Sequence, residues 1–426
     1  MGRFASLFAA ALVWASPAIA QDGPTAAAEL NQMCHADARA LWGVSLCGPL
    51  MIADPASRTV WASESDHQGL LRPQDGGWVG VLPADVAIAN TALDWAGLRW
   101  AMVIAPLPED AQERRVLLAH EAWHRVQGDL GFFAQDFPNA HLATARGRTL
   151  LRLEMRALAT ALRSSGVGQR RAMQDALILR AARHAAFAPA RAEETALDRH
   201  EGLAAYTGVR LGAADTAREY ALRQLDSHDR HENFARAYAY ATGPAYGVML
   251  DQLRPRWRTE LGGGAPADLL AGVVRPEAAT PRTIAAASAR YGAHQVAAEE
   301  NARAEAAQAR LAALRAAYTS AYLEAPLTNP QFAFDPNQVT PIADLGTHYQ
   351  TLTLRDAWGE LRATEGAIIA GDFSLARAAA PRPDGLSGPG WTLTLAPGWR
   401  VAPPIGASPW RIERAPPTLE PIPQPE

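Results

Sequence analysis

One stretch of this 426-residue chain decides how its fold and function are interpreted: Val116-Leu117-Leu118-Ala119-His120-Glu121-Ala122-Trp123-His124. The apolar run Val116–Ala119 leads into it and predicts a helix. Residues four apart share one face of a helix, so His120 and His124 can direct both imidazoles at one metal ion. Glu121 lies beside them, where a carboxylate can take a proton from water activated by that ion. The pattern therefore predicts a metal site with a general base.

A catalytic zinc site needs a third protein ligand and an open position for water. A third histidine six residues after His124 is excluded, because Gln127 replaces the glycine of that extended pattern and Leu130 replaces its histidine. A glutamate on a later helix is the other common solution, and Glu201 in the segment 200–206 (HEGLAAY) offers one. Glu201 could instead be an ordinary carboxylate at a helix N-terminus, where the helix dipole favours it.

Glu154 is the alternative to Glu201. It falls between Leu151 and Leu158 on an apolar helix face, where an unpaired carboxylate is costly. It could serve as an alternative ligand or orient a histidine ligand from behind. We favour a buried salt bridge with an arginine over both roles.

A third segment, Tyr240-Ala241-Thr242-Gly243-Pro244-Ala245-Tyr246, follows in the chain. In order, the three segments resemble the His-Glu-x-x-His, Glu-Gly-Leu-Ala-x-Tyr and Tyr-x-x-Gly segments of the gluzincins, the clan that contains thermolysin-like peptidases and zinc aminopeptidases. The resemblance covers only these short segments. It implies that Zn²⁺ binds His120, His124 and Glu201, that Glu121 is the general base, and that Tyr240 stabilises the tetrahedral intermediate.

Other residues near these segments have more ordinary interpretations. Trp123 could line a substrate pocket or pack in the core. His141 and His200 are expected to be surface or hydrogen-bonded histidines rather than ligands, and Tyr206 and Tyr246 to be packing residues. The Gly243-Pro244 pair is expected to break the helix and to place Tyr240 at a joint that faces the site. An aminopeptidase is disfavoured, because its Gly-x-Met-Glu-Asn segment is absent from the sequence.

The N-terminal residues predict export. Arg3, the apolar run Leu7–Trp14 and Ala18-Ile19-Ala20 have the layout of a signal peptide over residues 1–20. No later run is long and uncharged enough for a transmembrane segment in the mature chain. The only two cysteines, Cys34 and Cys47, are expected to form a disulfide in an exported protein, with a pair of buried thiols as the alternative. We therefore expect a periplasmic or secreted protein.

The rest of the chain predicts an α+β fold. A small mixed α/β segment is expected over 21–110, with a hairpin around Asp54–Ser57 and a strand at Arg99–Ile104 as the upstream edge strand of a zincin-like fold. A helical zincin-like catalytic region is expected over 111–325, with a long helix from Ile284 to Leu323 that carries Glu300 on a solvated position. A β domain follows over 326–415, and a Pro-rich tail over 416–426.

The formal net charge of −4 gives no basic surface for nucleic acid. The expected function is zinc-dependent hydrolysis of peptide bonds, with a peptide or protein as substrate. The alternative is a zincin-fold protein without turnover that serves as a binding module or envelope scaffold. An intact Glu121 favours the enzyme, because a purely structural zinc has no use for a general base.

Overall fold

The computed structural model describes residues 17–74, 76–133, 137–335, 338–406 and 408–416. It confirms the α+β class, because helices dominate the earlier part of the chain and strands the later part. The chain divides into two compact units after Asn301. The predicted signal peptide lies outside the described residues up to residue 16, and the predicted Pro-rich tail does so from residue 417.

Within its described residues, the first unit combines a mixed sheet with helices. Its strands are β1 (Leu50–Ala53), β2 (Thr59–Ala62), β3 (Arg72–Gln74), β4 (Gly77–Val81), β5 (Thr91–Trp95) and β6 (Leu98–Ile104). Its helices are α1 (Pro17–Asp37), α2 (Ala111–Gln127), α3 (Ala145–Arg163), α4 (Gly166–Ala186), α5 (Ala190–Leu197), α6 (Leu203–Gly212), α7 (Ala217–His228), α8 (Phe234–Leu253), α9 (Pro266–Val274), α10 (Pro281–Arg290) and α11 (Ala293–Ala317), the last of which contains the boundary between the units. Short 3-10 turns occur at Ala140–Ala143, Ala214–Thr216 and Trp257–Glu260, and a π-helical turn at Asp198–Gly202.

The sheet of the first unit has the strand order β3-β4-β2-β1-β6-β5, in which β1 and β6 are parallel and the other neighbours antiparallel. Successive residues of a strand point to opposite faces. Ile52 thus packs into the core shared with the helices, whereas Met51 packs into a second core on the other face. Burial on both faces explains the continuous apolar run of β1. The predicted hairpin is confirmed, and the Asp54 carboxylate accepts from the Ala56 N–H in its turn at 2.8 Å.

Helix α2 carries the His-Glu-x-x-His motif. Its first turn is capped by Asp110, whose side chain accepts from the N–H groups of Gln112 and Glu113, both at 2.9 Å. The cap satisfies two of the backbone donors that a helix start leaves without partners. After this first turn the helix enters the core, where it is buried from Leu118 to His124.

Two glycines bring α6 against the backbone of α2. A Cβ on Gly208 would lie 2.5 Å from the carbonyl oxygen of Val116, and a Cβ on Gly212 would lie 2.4 Å from Val116 N. Real Cβ atoms do not approach backbone this closely, so only glycine fits at either position. The close packing places the π-helical turn Asp198–Gly202, which runs directly into α6, beside the motif helix. Turns of this kind recur at functional sites.

The predicted helix break at Gly243-Pro244 is wrong. Helix α8 runs through both residues, and Pro244 only removes the N–H that would otherwise bond to the Tyr240 carbonyl. The helix crosses the π-helical turn where Gly243 meets Gly202. Tyr240 faces the site because of this crossing, without any joint in the helix.

The predicted strand at Arg99–Ile104 is present as part of β6, but it does not lie at the edge of the sheet. The edge position belongs to β5, which pairs antiparallel with β6. The sequence of β5, Thr-Ala-Leu-Asp-Trp, is only partly buried, so it lacks the apolar run that identified β6.

The predicted long helix Ile284–Leu323 is instead the pair α10 and α11. Gly292 separates them with a φ of 80°, a left-handed conformation that ends a helix. Glu300 of α11 is buried rather than solvated, which corrects the prediction. It forms ion pairs with Arg148 and with Arg152, at 2.9 Å to the latter.

The second unit contains the C-terminal strands expected from the sequence, and the first of them begins at Tyr322, before the predicted start at residue 326. Its strands are β7 (Tyr322–Pro326), β8 (Gln331–Phe334), β9 (Val339–Ile342), β10 (Gly346–Tyr349), β11 (Leu352–Asp356), β12 (Gly359–Ala363), β13 (Ala367–Ile369), β14 (Leu375–Ala379), β15 (Ser387–Gly388), β16 (Trp391–Leu395), β17 (Trp399–Ala402) and β18 (Trp410–Arg414). In the described residues they form sheets of order β17-β18-β7-β14-β13-β10-β9 and β15-β16-β12-β11-β8. Alternate residues such as Leu352 and Leu354 are buried with Trp391 in one core, as half-buried strands require.

The expected disulfide joins Cys34, near the end of α1, to Cys47, with 5.2 Å between the Cα atoms. Arg125 of α2 donates to the Cys47 carbonyl at 2.8 Å and packs on Gly48. The motif helix is therefore tied to the disulfide segment. None of the helices in the described residues is long and apolar enough to span a membrane.

Candidate metal centre

Three predicted ligands converge, two from α2 and one from the π-helical turn. The Nε2 atoms of His120 and His124 lie 3.0 Å apart, and Glu201 Oε2 lies 3.5 Å from the first and 3.6 Å from the second. With metal–ligand distances of roughly 2.1 Å, the ligand atoms of a tetrahedral zinc ion stand about 3.4 Å apart. The triangle therefore has the size that such an ion requires.

The polar atoms of this triangle are poorly satisfied by the protein alone. Glu201 Oε2 is buried, and among the described residues it has no hydrogen-bond partner. Its second oxygen, Oε1, accepts from Arg236 at 2.7 Å. A buried carboxylate oxygen without a donor normally has an explanation such as a missing ion. The unsatisfied oxygen is the one that faces both imidazoles, as expected for a metal ligand.

The protonation states of two of the three predicted ligands, His120 and Glu201, also suit metal binding. Burial lowers the pKa of His120 to about 4, so its imidazole is neutral and keeps a lone pair at neutral pH. Burial alone would raise the pKa of Glu201, but the His120 and His124 imidazoles outweigh it and hold the pKa well below its usual range. The third ligand is therefore a carboxylate anion.

Glu121 adjoins the ligand group without being part of it. Its Oε1 lies 4.0 Å from His120 Nε2, and its side chain is buried. Its Oε2 has no hydrogen-bond partner among the described residues. Burial raises the pKa of Glu121 to about 8. A carboxyl group that titrates near neutral pH can accept a proton and release it again.

Tyr240 lies over the first ligand. Its ring stacks on the His120 imidazole with 5.4 Å between centroids and an angle of 7° between planes. Burial and the nearby Glu201 carboxylate both raise the pKa of Tyr240. The phenol therefore keeps its proton and is available as a hydrogen-bond donor.

Three polar residues that the sequence analysis did not assign surround the ligands. Gln127 Oε1 lies 2.7 Å from His124 Nδ1, and Gln127 Nε2 lies 2.8 Å from His200 Nδ1. Arg236 holds Glu201, as described above. Helical spacing carried a signal for two of them, because Gln127 is three residues after His124 and Arg236 four residues before Tyr240. His200, expected to be an ordinary histidine, lines the same cleft.

Glu154 lies outside this group and forms the buried salt bridge favoured from the sequence. Its Oε2 is 2.6 Å from Arg183 Nη1, and its Oε1 accepts from the Tyr246 hydroxyl at 2.7 Å. All three side chains are buried. The carboxylate is thus neutralised by the protein itself.

The remaining aromatic and histidine residues play packing or polar structural roles. Trp123 is fully buried in the core, which excludes it from the cleft. His141 Nε2 lies 2.7 Å from Glu194 Oε1, and the Tyr206 hydroxyl donates to Asp251 at 2.9 Å. Both form these hydrogen bonds away from the ligand triangle, as expected.

The ligand triangle lies in a cleft of about 620 Å³. One face of α2 lines it, because residues spaced three or four apart from Glu113 to Gly128 border the cavity. The edge strand β5 and the residue before it contribute a further wall. The lining residues outside α2 are Asn90, Thr91, Ala92, Arg99, Pro108, Gly128, Phe132, Phe133, His200, Glu201, Tyr220, Arg236 and Tyr240.

Comparison with protein-family models, with curated proteins and with solved structures found no match to this chain. The chemistry of the centre is therefore inferred from its own side chains. Two imidazole nitrogens and one carboxylate form a donor set that zinc and related divalent metals accept.

Proposed function

We propose that this protein is a zinc-dependent metallopeptidase of the gluzincin type. The observation that supports it most directly is the convergence of His120, His124 and Glu201 beside a buried Glu121 whose Oε2 has no hydrogen-bond partner among the described residues. A purely structural zinc site has four protein ligands, whereas a catalytic one has three and an open position. The described residues supply three, and the site borders a cleft.

Bound zinc would polarise the scissile carbonyl and make water a stronger acid. Glu121 then acts as the general base and takes a proton from the attacking water. The same carboxyl group gives that proton to the leaving amine, so it ends the reaction as it began.

Tyr240 is proposed to donate its hydroxyl hydrogen to the oxygen that gains negative charge. Its ring is fixed by stacking on His120, which presets the position of the hydroxyl. A donor that is fixed before the reaction costs no reorganisation during it, and such donors contribute strongly to catalysis.

A peptide or protein is the proposed substrate. Strand β5 lies at the edge of its sheet and borders the cleft at Thr91 and Ala92. An edge strand can pair with an extended peptide through main-chain hydrogen bonds. Such pairing would lay the peptide along α2 and bring one of its peptide bonds to the ligand group.

The proposed place of action is outside the cytoplasm, in the periplasm or the medium. The signal-peptide layout of residues 1–20 supports export. The Cys34–Cys47 disulfide is compatible with it, because such bonds persist in oxidising compartments.

The test is metal analysis of the mature protein combined with cleavage of a peptide library. Wild type should hold about one zinc per chain and cleave peptides, and Glu121→Gln should hold zinc without cleaving. Glu219→Gln is the matched control, because Glu219 is exposed on α7 away from the cleft. Zinc without any cleavage by wild type would favour a binding or scaffold protein, and wild type without zinc would exclude the metallopeptidase.

A further inference from the structure

Gln127 and His200, two of the polar residues around the ligands, continue a chain of hydrogen bonds that starts at His124. His124 Nδ1 lies 2.7 Å from Gln127 Oε1, and Gln127 Nε2 lies 2.8 Å from His200 Nδ1. The other nitrogen of His200, Nε2, lies 3.5 Å from Glu201 Oε1. The chain therefore begins at one member of the ligand triangle and ends at another. Gln127 is buried, with 4% of its surface exposed, so water does not compete for its amide.

The direction of each hydrogen bond follows from the needs of the ligand. A histidine that binds metal through Nε2 is neutral and carries its proton on Nδ1. That proton must be donated to Gln127 Oε1, so the amide nitrogen is left to donate to His200 Nδ1. The distances agree, since His200 Nδ1 is closer to Nε2 of Gln127 than to Oε1, at 2.8 against 3.1 Å.

The direction of these hydrogen bonds also affects Glu201, the third predicted ligand. Because its Nδ1 accepts a hydrogen bond, His200 carries its proton on Nε2, the atom near Glu201 Oε1. Arg236 donates to the same oxygen at 2.7 Å. The hydrogen bond from Arg236 and the His200 Nε2–H group 3.5 Å away both face Oε1, which leaves Oε2 for the metal.

We propose that Gln127 and His200 are positioning residues: directed hydrogen bonds through Gln127 fix the tautomers of His124 and His200, and the proton this places on His200 Nε2 helps to orient Glu201. The inference rests on the proposed zinc site, and it goes beyond it by assigning residues that couple the two ligands. Partners that orient a metal ligand typically change metal affinity by about 10- to 100-fold when they are removed.

The experiment compares three variants of the full-length mature protein. Gln127→Met keeps the length of the side chain and removes the chain of hydrogen bonds. Gln127→Glu keeps an acceptor for His124 but loses the donor to His200. Gln112→Met is the matched control, because Gln112 lies on the same helix outside the cleft. Zinc affinity is measured against a competing chelator, and the imidazole tautomers by nitrogen-15 NMR.

Gln127→Met should bind zinc about 10- to 100-fold more weakly than wild type, while Gln112→Met keeps the wild-type affinity and Gln127→Glu recovers most of it. In wild type, His200 should carry its proton on Nε2. In Gln127→Glu that proton should move to Nδ1, because the carboxylate offers only acceptors. Equal zinc affinities of Gln127→Met and Gln112→Met would overturn the proposal, and so would a His200 tautomer that Gln127→Glu leaves unchanged.

The outcomes separate this inference from the proposed function. Zinc binding without peptide cleavage contradicts the peptidase and leaves the affinity comparison valid. A wild type that binds no zinc contradicts the metal site, and the His200 tautomer in the metal-free protein then decides whether the chain exists. Circular dichroism identifies a Gln127→Met variant that does not fold, in which case the Gln127→Glu tautomer is decisive.

Discussion

A Cβ atom on Gly243 would lie 2.3 Å from the carbonyl oxygen of Gly202, so α8 and the π-helical turn meet backbone to backbone. Glu201 is the residue before Gly202, and Tyr240 is one helical turn before Gly243. This single contact therefore sets the distance between the proposed third ligand and the proposed oxyanion donor. Neither residue could occupy its present place if the two segments stood one methyl group further apart.

Gly243→Ala should consequently damage the site from a distance. The added methyl group has no space, and overpacking of this kind typically costs about 1–3 kcal/mol. Zinc affinity and turnover should both fall, because Glu201 and Tyr240 are displaced together. Gly272→Ala is the control: Gly272 lies in α9 with open space around its Cα, so alanine there should be neutral or slightly stabilising. Denaturant unfolding and zinc titration of both variants measure the difference.

Replacing Glu201 should mainly affect zinc binding, whereas replacing Glu154 should mainly affect the stability of the fold. Glu201→Ala should lose zinc while the fold persists, because its main neighbours are the other ligands and the half-exposed Arg236. Glu154→Ala should keep the ligand triangle but lose about 3 kcal/mol of folding free energy, because it removes one of the two carboxylates that pair with the buried Arg183 and the acceptor of the buried Tyr246 hydroxyl. Zinc content and urea unfolding separate the two effects. The reverse pattern would make Glu154 the ligand and break the resemblance to the gluzincins.

Export and the disulfide give an independent prediction. The mature N-terminus should be Gln21, and Cys34 and Cys47 should resist alkylation until they are reduced. Loss of a disulfide that closes a loop this short should cost about 3 kcal/mol in the chain-entropy model. Mass spectrometry of periplasmic material with and without reductant checks both points, and the double variant Cys34→Ser/Cys47→Ser provides the reduced reference. Free thiols in material that has been exported would contradict the prediction.

The motif segments were predictable because their chemistry is local. Four-residue spacing places His120 and His124 on one helix face, and this holds wherever the helix packs. The β region was equally accessible, since alternation such as that of Leu352 and Leu354 specifies a half-buried strand. In these cases the sequence itself contains the geometry.

Other features depend on packing that no local pattern records. Gly208 and Gly212 stand four apart on α6, but only the folded chain shows that Val116 lies against them. Glu300 looked solvated in an alanine-rich helix, and it is buried because Arg148 and Arg152 approach from α3. Polar partners brought together from distant segments are the part of this site that sequence reasoning missed.

The metal-free protein should lose stability as pH rises from about 6.5 to 8. Burial raises the pKa of Glu121 from 4.5 to about 8, so the folded state holds a proton there that the unfolded state has already released. Stability from such a group falls with rising pH until the folded pKa is passed. The lowered pKa of His120 acts in the opposite direction, but only below its ordinary value of 6.5.

Between pH 6.5 and 8, the loss of unfolding free energy assigned to Glu121 is about 2 kcal/mol, because the range spans about 1.5 pH units and each unit is worth about 1.36 kcal/mol. Glu121→Gln cannot titrate, so its unfolding free energy in chelator should decline less than that of wild type over the same range. Urea unfolding at pH 6.5 and at pH 8 measures both slopes. Parallel slopes for the two proteins would show that Glu121 is already ionised at pH 6.5.

The last prediction separates enzyme from scaffold through two residues that do not bind the metal. Glu121→Gln keeps the shape of the side chain and removes the base, so zinc should remain while cleavage falls sharply. Tyr240→Phe keeps the ring that stacks on His120 and removes one donor to the oxyanion, a loss that typically costs about 100- to 1000-fold in turnover. The effect should appear in kcat rather than in KM, because that hydrogen bond forms in the transition state. Steady-state kinetics on the best library peptide measures kcat and KM, and metal analysis measures the zinc content of each variant. Glu219→Gln is the control. Cleavage by Tyr240→Phe at the wild-type rate would reduce the tyrosine to a packing partner of His120, and zinc-loaded wild type that cleaves no peptide would leave a binding protein built on the same ligands.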